Sequence, residues 1–135
     1  MELKIVDFGL ASYLRGKQRW KTFCGTPFFI APEIASRDKK GHSYEVDYWS
    51  CGVILYNMIY GQCPFVSEKV DEVYKQIWTG KFKIEPHVDQ HANDLIKQLL
   101  VLDHNERGSY DEVMQSKFME GHETLPERMP EKTLL

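Results

Sequence analysis

Asp7 ends a short β-type run, Leu3-Lys4-Ile5-Val6, and is followed by Phe8 and Gly9. Its carboxylate is an oxygen ligand of the kind hard cations prefer, and Gly9 lets the backbone turn beside it. Further on, Thr22 presents a hydroxyl in a stretch that carries Arg15, Lys17, Arg19 and Lys21. A phosphate on Thr22 would add about −1.5 to −2 charges and order the loop by pairing with arginine; the plainer reading is a solvated basic loop. A lone Asp-Phe-Gly triplet is a weak signal. It gains weight from Gly25-Thr26-Pro27 and Ala31-Pro32-Glu33 downstream. Of the five histidines, His87 and His91 stand four apart but straddle a loop-to-helix boundary with no third ligand near, which argues for surface histidines rather than a metal site. The three cysteines form no C-x-x-C pair, so neither a disulfide framework nor a zinc site is indicated, and a reducing compartment is their natural home.

These groups must be held by the elements around them, and the pattern after residue 30 is helical. Pro32 suits the first turn of a short helix. A long helix is expected from Ser43 or Tyr44 to Tyr60, stopped by Gly61. Val46, Trp49, Val53, Ile54, Leu55, Met58 and Ile59 make it apolar on nearly every side, so it is expected to be buried all round, as the axis of the domain. Ser67 is the expected cap of a helix to Trp78, with Val70, Val73, Tyr74 and Ile77 on one stripe. Another is expected over about Gln90–Leu100, and a last one near Ser109, with Glu112 completing a capping box. Pro126, Pro130 and many charges predict poor order from Gly121 on. The length and the net charge of −3 fit one domain and leave no electrostatic footprint for nucleic acid. The apolar stretch Tyr48–Tyr60 is too short to span a bilayer.

Taken in order, Asp7-Phe8-Gly9 and Ala31-Pro32-Glu33 resemble the two triplets that bracket the activation segment of a protein kinase. Gly25-Thr26-Pro27 resembles Ser/Thr rather than Tyr kinases. Asp47, Trp49 and Gly52 lie at the spacing of the D-x-W-S-x-G motif, and Asp103-His104-Asn105-Glu106-Arg107 resembles D-P-x-x-R with His104 in the proline's place. Lys40-Gly41-His42-Ser43-Tyr44-Glu45-Val46-Asp47, Lys21 through Pro27, and Phe118, Gly121, Pro126, Arg128 and Pro130 are similar to the polo-like kinase family. The departures are Phe28-Phe29 where Asn-Tyr is usual, Gly108 where proline is usual, and an exit segment about two residues longer than expected from the family.

The resemblance implies a mainly α fold, the helical C-terminal lobe of a protein kinase, with a short β segment at its N-terminus. It divides the chain into an activation segment at 7–33, a helical lobe at 34–118 and an exit segment at 119–135. Asp7, with Phe8 packed behind it and Gly9, is implied to hold Mg²⁺ that bridges the phosphates of ATP. Thr22 is the implied phosphorylation site, and Thr26 is implied to touch the catalytic carboxylate and fix the substrate hydroxyl. Glu33 and Arg107 are implied to form a buried structural pair. Asp47 is implied to take backbone N–H donors from a catalytic loop that these 135 residues do not contain. The Gly-rich loop, the strand lysine and its helix glutamate are also missing from them. The chain is therefore expected to be a fragment that is inactive alone, binds ATP and Mg²⁺ weakly or not at all, and exposes apolar surface on its central helix through which it could associate. The implied partners are protein substrates and an upstream activating kinase, with neither nucleic acid nor membrane. The implied location is cytoplasmic, nuclear or at the centrosome and spindle. The other reading is a non-catalytic interaction module that binds through the groove near Ser67–Trp78. Phe28-Phe29 would favour an apolar residue just after the target Ser or Thr.

Overall fold

The computed structural model describes residues 4–16, 18–36 and 41–120. The expectations that involve Leu3, Lys17, Lys40, Gly121, Pro126, Arg128 and Pro130 lie outside the described residues. Among the described residues a 3₁₀ turn at Phe8–Leu10 is followed by five helices: α1 (Pro32–Ala35), α2 (Glu45–Tyr60), α3 (Val70–Thr79), α4 (Gln90–Leu99) and α5 (Tyr110–Met114). The mainly helical class expected from the sequence is what is found.

The β segment is different. Lys4–Val6 belongs to no strand, and Ile5 and Val6 are 84% and 76% exposed. A strand needs a neighbour to take its backbone hydrogen bonds, and none is present among the described residues. One isolated antiparallel bridge, Trp20 to His42, is the β pairing seen there.

Helix ends follow local chemistry. α1 has Pro32 in its first turn together with Glu33, whose charge is favourable at a helix N-terminus. α2 and α3 stop at Gly61 and Gly80, both left-handed, which glycine adopts without a Cβ penalty. Asp89 caps α4 by accepting from the Ala92 N–H at 2.9 Å. Ser109 and Glu112 form the full capping box of α5. Ser67 does not cap α3. The helix begins three residues later, behind an extended Lys69, and the Ser67 hydroxyl instead donates to the Glu72 carboxylate at 2.8 Å.

The core gathers around the inner face of α2. Trp49, Gly52, Val53 and Tyr56 are buried there. They meet Val73 and Ile77 from α3, Ile96 and Leu100 from α4 and its end, and Ile30, Ala31, Ile34 and Ala35 around α1. Phe65, from the irregular stretch after α2, stacks on Trp49 at 5.6 Å and 7°, and Phe82 meets it edge-on. A polar bolt, buried at Asn93 and half-buried at Tyr60, ties α2 to α4. The Tyr60 hydroxyl donates to Asn93 at 2.6 Å and accepts from the Glu85 N–H, while the Asn93 amide donates to the carbonyls of Glu85 and Val88.

α2 is not buried all round. Cys51, Ile54 and Met58 lie on its outer side, with Met58 74% exposed, because its packing partners among the described residues sit on one side only. The apolar surface expected on this helix is thus present. Cys24, Cys51 and Cys63 are free thiols. Among the described residues no helix is long and apolar enough to cross a membrane.

Gly52 sets the spacing of α2 against α4. A Cβ there would lie 2.8 Å from the Leu99 Cβ and 2.9 Å from a Leu100 methyl. Gly52→Ala should overpack this contact and cost about 1–3 kcal/mol, read as a lower urea midpoint. An unchanged midpoint would mean the helices slide apart freely.

Candidate functional site

The site is built along the irregular chain between Asp7 and Glu33. Asp7 has φ 64°, in the left-handed region, and among the described residues it alone does so without being glycine. Aspartate tolerates this because its carboxylate can bond the backbone two residues on. Here Oδ1 accepts from the Gly9 N–H at 3.2 Å. The carboxylate is exposed and one oxygen is uncommitted. Phe8 does not pack behind it: the ring is 69% exposed, with nothing among the described residues to cover it.

From Arg19 to Thr22 the chain is tied to the residues that lead into α2. The backbones of Trp20 and His42 exchange hydrogen bonds of 2.8 and 2.7 Å. The Arg19 Nε donates to the Gly41 carbonyl at 3.1 Å, and its guanidinium lies 3.8 Å from Glu45. His42 Nε2 lies 2.9 Å from the Thr22 carbonyl oxygen. Gly41 makes this approach possible. Its φ is +75°, and a Cβ there would stand 2.5 Å from the Trp20 carbonyl oxygen. Thr22 itself is exposed.

Thr26 opens a turn in which its carbonyl accepts from the Phe29 N–H at 2.9 Å. Phe28 and Phe29 are half-buried against the core, and the Phe29 carbonyl accepts from Ser50 Oγ on α2 at 3.0 Å. Thr26, Cys24 and Asp47 face one hollow of about 320 Å³; Thr22, His42 and Asp47 face an adjoining one of about 440 Å³. Asp47 therefore lines both hollows, one with each threonine, and its carboxylate accepts no hydrogen bond among the described residues. Burial pushes its pKa up, and the nearby His42 opposes that rise. Asp7 lines neither hollow.

The far end of the segment is anchored. Arg107 donates from Nη1 to Glu33 Oε1 at 2.8 Å and from Nη2 to Oε2 at 3.0 Å, a two-pronged pair with both side chains buried. Its other N–H groups go to the Val101 carbonyl and to the Glu45 carbonyl, so every donor of the guanidinium is used. The Trp49 ring lies beneath it at 5.2 Å, in cation–π range. Gly108 adds a backbone bond: its N–H donates to the Gln98 carbonyl at 3.0 Å, which a proline could not do. Nearby, the Asn105 backbone and side chain both donate to Asp103 and hold its pKa down.

Of the residues singled out in the sequence, the structure brings Glu33, Trp49 and Arg107 into one cluster, and sets Asp47 on two adjoining hollows, one lined by Thr22 and the other by Thr26. His42 and Gly41 were missed as participants. The signal for them is a pairing between segments some twenty residues apart, which no local pattern carries. Among the described residues no group of three His, Cys, Asp or Glu side chains could cage a metal. Mg²⁺ is usually held by one or two carboxylates together with waters and substrate phosphates. A single exposed carboxylate at Asp7 fits that mode.

A family model described as the protein kinase domain matches residues 1–119. The chain belongs to the protein kinase family. Among its relatives are a maize protein named probable serine/threonine-protein kinase CCRP1, 44% identical over 99% of this chain, and the Xenopus laevis serine/threonine-protein kinase PLK1, 40% identical over 96%. The Drosophila cAMP-dependent protein kinase catalytic subunit 3 is 49% identical over 78% of it. These matches cover 22%, 21% and 17% of the relatives, so this kinase segment spans about a fifth of the length of the curated relatives it matches.

Proposed function

We propose that this segment serves Ser/Thr phosphoryl transfer, as the activation segment and helical lobe of a whole kinase that phosphorylates protein substrates. The observation that carries this reading is the span from Asp7 to Glu33, laid along α2 and pinned by Arg107. In that role Asp7 helps hold Mg²⁺ on the phosphates of ATP; the metal, when bound, neutralises charge on the transferring group. Thr26 orients the incoming hydroxyl, and Thr22 is the acceptor for an upstream activating kinase. The polo-like assignment is supported by Gly41–Asp47, by Lys21–Pro27 and by the PLK1 match. Location in the cytoplasm, nucleus or spindle follows from that assignment.

The test uses the complete product of the reading frame that encodes this segment. Given Mg²⁺ and ATP, it should phosphorylate Ser and Thr peptides and spare Tyr peptides. Asp7→Asn should lower kcat by a factor on the order of 10²–10³, the loss typical of removing one preorganised electrostatic contact to the transition state. Equal activity of wild type and Asp7→Asn would sink the catalytic reading. The exposed Ile54 and Met58 on α2 and Trp78 on α3 would then favour a non-catalytic interaction module.

A further inference from the structure

We propose that His42 is the residue that answers a phosphate on Thr22, by taking up a proton and clamping the segment against α2. The inference rests on the reading of Thr22 as the phosphorylated residue. Geometry places His42 for this. It is paired directly with Trp20 across the antiparallel bridge, so Thr22, two residues on, is its diagonal neighbour on the same face. Its ring already reaches the Thr22 backbone.

The hydrogen bond also fixes the chemistry of the ring. The Thr22 carbonyl can only accept, so Nε2 carries the hydrogen and Nδ1 of the neutral imidazole is the open base. A phosphate on Thr22 Oγ would bring about −1.5 to −2 charges within a side chain's length of that ring. Opposite charge at such range favours the protonated form. The proton comes from solvent and adds to Nδ1; no bond in the protein breaks. The imidazolium then donates from both nitrogens, and the Thr22 carbonyl contact becomes charge-assisted.

The surroundings of His42 contain groups of both signs. From the activation segment come Arg19, bonded to the adjoining Gly41 carbonyl, and Cys24, while Lys21 precedes Thr22 in the chain. From the entry to α2 come Tyr44, Glu45 and Asp47. Arg19 donates from Nε to the Gly41 carbonyl and lies 3.8 Å from Glu45, with Nη2 left without a hydrogen-bond partner among the described residues; it is already charged, so the imidazole is the group beside this hollow that can gain a proton. Asp47, beside the same hollow, would be held ionised by an imidazolium, so the modification on the loop is felt at the start of the central helix. The clamp it tightens ends at Glu45, whose carbonyl binds Arg107, and so leads on to Glu33.

The experiment installs phosphothreonine at position 22 of the full-length protein during translation, with ring-labelled histidine, and follows each histidine by NMR against pH. His42→Gln assigns the His42 signal. The phosphate should raise the His42 midpoint by about one pH unit or more, while His87, His91 and His104 stay put. An unchanged His42 midpoint would overturn the proposal and leave Arg19 and Lys21 as the partners of the phosphate. A second readout guards against a merely structural role. Gln keeps a donor for the Thr22 carbonyl but cannot gain a proton, so phosphorylated His42→Gln should lose the step in kinase activity expected of phosphorylated wild type between about pH 6.5 and 8, while a step near about pH 6 from the phosphate itself stays. Identical pH profiles would also overturn it. Because the phosphate is placed by design, a failed titration indicts His42 alone, and a kinase-dead wild type indicts the catalytic reading alone.

Discussion

Arg107→Ala should cost about 3–5 kcal/mol of folding stability, because it strands the Glu33 carboxylate in the core without a counter-charge. Glu33→Ala should cost a similar amount for the converse reason. The size follows from the geometry: both side chains are shut off from solvent, and the guanidinium spends donors on three backbone or side-chain acceptors at once. Two apolar replacements together, Glu33→Leu with Arg107→Met, should recover much of the loss, since no charge is then buried. Urea unfolding of the four proteins reads each cost directly, and the single variants Glu33→Leu and Arg107→Met close the double-mutant cycle. A cost below about 1 kcal/mol for either single variant, the value of an exposed pair, would mean that water reaches the site.

Phe65→Ala should cost about 3–5 kcal/mol. The ring is fully buried, stacked on Trp49 on one side and capped by the edge of Phe82 on the other. Truncation removes the buried area, leaves a cavity beside Trp49 and forfeits the preferred ring geometry. Phe65→Leu, which keeps most of the volume, should cost clearly less. Thermal unfolding of the two variants separates them. Equal small shifts would mean that the chain after α2 collapses into the gap.

The fold and the site were legible to different depths. Helices α2, α4 and α5 could be read because their signals are local: the glycine after Tyr60, the apolar spacing of Ala92, Leu95, Ile96 and Leu99, and the Ser109–Glu112 box. The start of α3 could not, since Ser67 has the right type for a cap and the backbone at Lys69 is still extended. Phe65 lies in a stretch without periodicity, so its place at the centre of the core is set by tertiary packing alone. The chemistry-bearing types were visible at Asp7, Thr22 and Thr26 through motif order. The clasp between Arg19–Thr22 and Gly41–Glu45 was not, because a backbone bridge leaves no mark on side-chain types. Gly41 carried the one trace, a glycine required by a close approach.

The separation of Glu33 from Arg107 has a consequence in time. The partners are 74 residues apart along the chain. A ribosome adding about 5–20 residues per second makes Glu33 roughly 4 to 15 s before Arg107 exists. During that wait the carboxylate has no guanidinium to meet and must stay in water. The Glu33 end of this stretch therefore locks only after α2, α3 and α4 have been made, and a nascent chain stalled before Arg107 would hold Arg19–Thr22 against Gly41–Glu45 while leaving α1 unfastened, open to proteases and chaperones.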